Sequence, residues 1–355
     1  MNALTLRSTY VRHRTDDVAI APGQFVPMNS DVATVRELCA RFVKPSLPRA
    51  LWQLVSTLSL FVALWTLMAF SLSVGWNYAW TLLLAIPTAG LFVRLFIIQH
   101  DCGHGSFFAS RRANRWLGAC LGLITLSPFG YWKKTHAVHH ATSGNLDRRE
   151  FGAVRLLTVR EYRAHSPWLR FCYRFYRNMF VMLAIGPIYQ FVAKHRLPVD
   201  LPWAWKKEWR SVALNNLGLL IVAVFVSVAF DWRLLLMVQL PVVALAGAAG
   251  VWLFYVQHGA EASYWSRKTD WSAHRAAVEG SSFYDLPRVL HWFTANIGYH
   301  HIHHLQPGIP NYHLRAAHES SPLLRQAVRL TMRESLKCAR MKLWDDDLQC
   351  MVGFP

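Results

Sequence analysis

Residues 50–93 read ALWQLVSTLSLFVALWTLMAFSLSVGWNYAWTLLLAIPTAGLFV, 44 positions without one Asp, Glu, Lys or Arg. A helix needs about 20 apolar residues to cross a bilayer, so this run holds two crossings. The polar, turn-like stretch SLSVGWN (71–77) divides it into spans at 51–72 and 78–98. A second charge-free run covers 211–230. Asp231, Trp232 and Arg233 interrupt it, and a third continues over 234–258. Two helical hairpins follow, which predicts an all-α integral membrane protein with four transmembrane helices. The two shorter apolar stretches, 116–132 with Pro128 and 178–193 with Gly186-Pro187, fall short of a span. Flanked by Arg and Lys, they read as interfacial or partly inserted.

The rest of the composition agrees. The chain has 355 residues, 53% of them hydrophobic and 16% charged, with a net charge of +18. Disordered basic proteins lack that apolar content. Six Cys without framework spacing exclude a disulfide-stapled secreted domain and read as free thiols. Of the 38 Lys and Arg residues, 7 lie in 1–50, 18 in 99–211 and 11 in 258–355. With four spans these three segments share one side, and the positive-inside bias makes it the cytosol. The expected organisation is a cytosolic N-terminal segment 1–49, hairpin 50–98, a cytosolic or interfacial region 99–210, hairpin 211–257 and a cytosolic region 258–355. No apolar core of a cleavable signal peptide is visible in the first 49 residues.

Histidine is the third oddity, at 17 residues. Three clusters stand at the cytosolic ends of the spans: His100 and His104 in HDCGH; His136, His139 and His140 in HAVHH; His300, His301, His303 and His304 in HHIHH. Helical residues at i, i+3 and i+4 share a face, so His100 stacks over His104, His136 faces His139 and His140, and His300 faces His303 and His304. Eight imidazoles are too many for one tetrahedral zinc and suffice for two metal ions with open positions. Imidazole suits Fe, Zn, Cu and Ni. His258 ends the fourth span at the depth where His100 ends the second, and is a ninth candidate ligand. Asp101 is placed to accept from an imidazole N–H and fix its tautomer. His301 lies one residue off the His300 face and reads as a residue behind the ligands or one that serves packing. His13, His165, His195, His274, His291, His313 and His318 are expected to be ordinary histidines. A pH sensor or metal sponge would sit in a flexible polar tract, whereas these boxes are embedded among Trp, Tyr, Phe and Gly.

The segments HDCGHGSFF (100–108), HAVHHATSGNLDRR (136–149), FYVQHGAE (254–261) and GSSFYDLPRVLHWFTANIGYHHIHHLQPGIPNYHL (280–314) resemble the membrane-bound fatty acid desaturases, most of all bacterial members of the delta-12 (omega-6) type. With the hairpins, the resemblance covers about residues 50–315. It implies a non-haem di-iron centre held by His100, His104, His136, His139, His140, His300, His303 and His304, with His258 matching an additional metal-binding histidine of the family. Asn296, or no residue, corresponds to a water-linked asparagine of relatives. The implied reaction takes O2 and two electrons and leaves a cis double bond in an acyl chain carried by phospholipid, coenzyme A or acyl carrier protein. No fused electron carrier is visible, which implies a separate ferredoxin, flavodoxin-like or cytochrome donor.

Hydroxylases, epoxygenases and acetylenases resemble the same scaffold. A zinc-dependent membrane hydrolase is a remoter alternative and would work without O2. A transporter predicts ionisable groups near the bilayer midplane, which these spans lack. The 18 basic residues of the central loop exceed what orientation requires and point to docking of anionic partners, with Arg148, Arg149, Arg174 and Arg177 as candidates.

Overall fold

The computed structural model describes residues 31–149, 154–229 and 231–355. His13 and most of the N-terminal segment lie outside them. After α1 (Asp31–Ala40) come two long antiparallel helices, α2 (Leu47–Ser73) and α3 (Tyr78–His104). Pro48 starts α2 at a position where a missing N–H costs nothing. In the tight turn between them, Gly75 takes φ 76° and the Asn77 side chain accepts from Ala79 N. The short helices α4 (Arg111–Ile124), α5 (Phe129–Thr142), α6 (Val159–Ala164) and α7 (Pro167–Tyr176) follow, then α8 (Val181–Lys194), wound partly as π-helix. The second long pair is α9 (Lys206–Ala229) and α10 (Trp232–His258). Asp231 caps α10 by accepting from Arg233 N.

These four long helices are the ones apolar and long enough to cross a membrane among the described residues. Only α3 is mostly enclosed; the most apolar windows of α2, α9 and α10 are 22%, 11% and 22% buried. Trp52, Phe225 and Val228 point outward, as side chains solvated by lipid would. The apolar stretches at 116–132 and 178–193 form shorter elements. Pro128 breaks the first between α4 and α5, and the second lies largely in α8; each of these helices is about 21 Å long, too short to span.

Length also places the histidines. At 27 residues, α3 and α10 are about 40 Å long and outrun a hydrocarbon core of about 30 Å. The excess is roughly two turns, and it carries His100 and His104 on α3 and His258 on α10.

A helical cap over one end of the long helices, as the fold class anticipates, is built with α11 (Ala273–Val278), α12 (Arg288–Phe293), α13 (His300–Leu305), α14 (Asn311–Glu319) and α15 (Met332–Cys338). Five short strands join it, which no periodicity in the sequence announces. β1 (Leu157–Thr158), β4 (Leu343–Asp345) and β5 (Cys350–Val352) form one sheet, and β2 (Ser282–Asp285) pairs in parallel with β3 (Val328–Thr331). The second sheet positions the third histidine box. Phe283 on β2 bridges Tyr299 and stacks on its ring at 4.7 Å, just before α13 begins. Behind α13, Val35 and Cys39 of α1 share a core with Tyr299, Ile302 and Ile309. All six cysteines are free thiols.

Candidate di-metal centre

Four elements bring nine imidazoles together. α3 supplies His100 and His104, α5 supplies His136, His139 and His140, α10 supplies His258, and α13 supplies His300, His303 and His304. They divide into two groups whose ring nitrogens lie within 4.8 Å of one another: His100, His104, His136, His140 and His303; and His139, His258, His300 and His304.

The division crosses the boxes. Each HxxHH box sends its i and i+4 residues to one group and its i+3 residue to the other. His136 and His140 converge with box one, while His139 turns to His258 and His304. His300 and His304 converge with His258, while His303 reaches His140. His136 lies beside both later histidines, as the spacing predicts, with its ring stacked on His139 at 5.7 Å and its Nε2 3.1 Å from that of His140, yet the two aim at different groups. Positions i+3 and i+4 lie on opposite sides of i by some tens of degrees, enough to aim at different neighbours.

The spacing fits metal ions. Nε2···Nε2 distances are 3.0 Å for His136–His100, 3.1 Å for His140–His136, 3.0 Å for His300–His258 and 3.1 Å for His304–His300. Ligands about 2.1 Å from a metal and at right angles to each other lie about 3.0 Å apart, against about 3.4 Å in a tetrahedron. Each cage is thus of a size to hold one metal ion. The proton inventory agrees. His258 Nδ1 lies 3.0 Å from the Gly280 carbonyl, which can only accept, so the proton sits at Nδ1 and Nε2 offers its lone pair inward. His104 Nε2 and both ring nitrogens of His139 are buried without a hydrogen-bond partner. A cation inside each cage would take the lone pair of His104 Nε2 and the one lone pair of His139.

Electrostatics keeps the ligands ready. Burial, followed by the neighbouring imidazoles, holds His136, His139, His140, His300, His303 and His304 well below the usual histidine range. They stay neutral, the form that binds metal. Aromatic rings wall the cages. Trp132 stacks on His136 at 4.6 Å, and Phe254 lies 5.1 Å from His139. Gly103 makes room for that wall, because a Cβ there would meet Trp132 Cζ3 at 2.8 Å. Gly105, at φ 74°, ends α3 directly after His104.

A narrow, mostly apolar slot opens beside the second group. His139, His258, Val154, Leu156, Phe254, Trp265 and Met351 line it, together with Arg148, Arg149 and Arg177.

A fatty acid desaturase family model matches residues 75–334. The chain belongs to the fatty acid desaturase family. It is accordingly an oxidoreductase of lipid metabolism. It is 44% identical to a Bacillus subtilis fatty acid desaturase over 315 residues, covering 89% of this chain and 88% of that one. It is 29% identical to a Synechocystis sn-1 acyl-lipid omega-3 desaturase (ferredoxin), over 66% of this chain and 65% of the relative. It is 26% identical to a Delta(12)-oleate desaturase of Trichosanthes kirilowii, over 74% and 73%.

Other expectations meet the structure unevenly. Asp101 Oδ1 lies 3.2 Å from His100 Nδ1. His301 turns away from the nine imidazoles and packs behind α13, so of its two readings the packing one matches its contacts. Its Nε2 lies 3.1 Å from His318 Nδ1 and 3.0 Å from the Leu324 carbonyl. Asn296 donates to the Asn311 carbonyl at 3.3 Å. His195 is a core histidine, bonded to Gln190 and the Leu126 carbonyl.

The four arginines proposed for docking are mostly occupied. Arg149 grips Glu161 through two bonds of 2.9 and 2.6 Å. Arg174 donates to Tyr162 and to the Pro355 carbonyl. Arg177 is buried over the Tyr255 ring and donates to the Met341 carbonyl. Beside it, Lys342 donates to the Arg177 carbonyl, and burial together with Arg177 pushes its amine down to about 8. Sequence reasoning missed the role of Trp132, since nothing local marks one Trp as the wall of a cage.

Proposed function

We propose that the chain inserts a cis double bond into a membrane-associated acyl chain, using O2 and two electrons at a di-iron centre, with delta-12 (omega-6) regiochemistry. The observation that carries this is the pair of adjoining imidazole cages beside an apolar slot. His100, His104, His136, His140 and His303 would hold one iron, and His139, His258, His300 and His304 the other. Bound there, the irons would supply the O2 activation and the C–H oxidation that side-chain acid–base chemistry lacks for an unactivated C–H bond. In the balance, two hydrogens leave adjacent methylenes, and with O2, two electrons and two protons yield one double bond and two waters.

The protein's own residues position and exclude. Phe254, Trp265, Leu156 and Met351 give the chain a dry channel, so that one C–C pair meets the centre. The aromatic walls over His136 and His139 keep bulk water from the same place. Arg148 is exposed at the slot and is placed to meet an anionic headgroup or carrier. Regiochemistry leans on relatives such as the Delta(12)-oleate desaturase, and a separate ferredoxin-type donor on the relative named for it.

The same reading places segments 1–49, 99–210 and 258–355 on the cytosolic side of a bacterial inner membrane, around hairpins 50–98 and 211–257. Expression in a host lacking polyunsaturated lipids, followed by fatty acid profiling, tests the reaction. A new dienoic acid is expected, absent from His136→Ala and His303→Ala. A hydroxylated product would move the reading to the hydroxylases, and an unchanged profile would defeat it.

A further inference from the structure

Asp101 does more than touch His100. Its second carboxylate oxygen, Oδ2, accepts from Asn311 N at 2.7 Å and from Asn311 Nδ2 at 2.8 Å. Asn311 Oδ1 in turn accepts from Gln53 Nε2 at 2.8 Å. All four side chains are buried, at 4% exposure or less. The chain of bonds runs from the first long helix, through the start of α14, to a ligand of the five-histidine cage.

Local chemistry explains each link. The first N–H groups of a helix have no intrahelical partner, and Asp101 takes that of Asn311, the first residue of α14. A carboxylate turns easily about its last side-chain bond. Two donors from one residue fix its plane, so that Oδ1 stays on His100 Nδ1 and the proton there stays outward. His258, in the four-histidine cage, rests its Nδ1 on a carbonyl instead. A carboxylate behind an imidazole raises its basicity more than a carbonyl does. Burying two amides among α2, α3 and α14 also costs free energy unless every bond is made, so an apolar junction would serve packing alone as well.

We infer that Asn311 and Gln53 are positioning residues for the five-histidine cage: the Gln53–Asn311–Asp101 relay holds His100 in its metal-binding tautomer and orientation, and tightens metal at that cage selectively. The inference rests on the metal-site reading above.

Chelator release of iron from the purified, iron-loaded full-length chain under anaerobic conditions tests it. Wild-type protein should release iron in two phases, one per cage. Asn311→Leu should speed one phase about 10–100-fold, the range for losing a partner behind a metal ligand, and leave the other within about two-fold. Its thermal midpoint should stay near wild type. Gln53→Met keeps both bonds from Asn311 to Asp101 and should speed the same phase by less; it carries the test if Asn311→Leu does not fold. Both phases quickening together with a fallen midpoint would reduce the relay to a structural prop. No change in either phase for a folded variant would also overturn it. Wild-type protein that binds no metal would instead defeat the metal-site reading.

Discussion

His303 Nε2 lies 2.9 Å from His140 Nε2, although 163 residues separate them in the chain. That contact carries the third box into the cage built by the first two. Its neighbour His304 turns to the other cage and stacks on His140 from that side at 4.2 Å. Adjacent histidines thus belong to different cages.

Replacing the two neighbours should have different consequences. His303→Ala leaves four imidazoles in its cage, and His304→Ala leaves three. Equilibrium metal content after mild chelation should therefore fall to about one ion per chain in His304→Ala while His303→Ala retains more, because the altered cage keeps three ligands in the first and four in the second. Equal loss in both would speak against the division of the boxes.

Gly103→Ala tests the aromatic wall. The added methyl collides with Trp132 and must push it off His136. Overpacking of this kind costs about 1–3 kcal/mol. Activity should fall well beyond what that loss of stability explains. Unchanged turnover in the folded variant would remove Trp132 from the account.

Charge reversal separates fold from docking. Arg149→Glu sets a carboxylate against Glu161, which also caps α6 through Thr158 N, so a lowered thermal midpoint is expected. Arg148→Glu breaks no bond to a described residue and should leave the midpoint alone. It should weaken turnover on anionic vesicles, less so at high salt. An unaltered salt dependence would sink the docking role of Arg148.

Acid should destabilise the protein through its buried neutral histidines. Burial lowers His195 to about 3, against about 6.5 when unfolded. Between those values the unfolded chain binds the extra proton. The stabilisation from this group is thus fully present above about pH 6.5 and is lost as pH falls toward 3. Each unit of separation corresponds to about 1.4 kcal/mol. The thermal midpoint should drop from pH 7 to pH 5, and less steeply in His195→Gln. Parallel slopes would contradict the assignment.

Much of this is legible in one dimension because the signals are local. Freedom from charge over 50–93 reports a hairpin, and a spacing of three or four residues reports a shared helix face. Which neighbour each histidine meets is not local. His139 and His140 are adjacent in sequence, and only the placement of α10 and α13 sends them to different cages. Asp101 and Asn311 meet across 210 residues. The strands at Leu157–Thr158 and Leu343–Asp345 are too short for an alternating pattern and exist because they pair with each other. Arg149 and Arg177 look like surface charge in a basic loop until their partners are seen.

Two imidazole cages, side by side, are proposed to hold one iron each. Mössbauer spectroscopy of 57Fe-loaded full-length protein, with iron and protein quantified on the same sample, tests this. About two iron ions per chain are expected, with the spectrum of a pair in nitrogen-rich surroundings. A single iron per chain in folded protein, with the four-histidine cage left without metal, would contradict it.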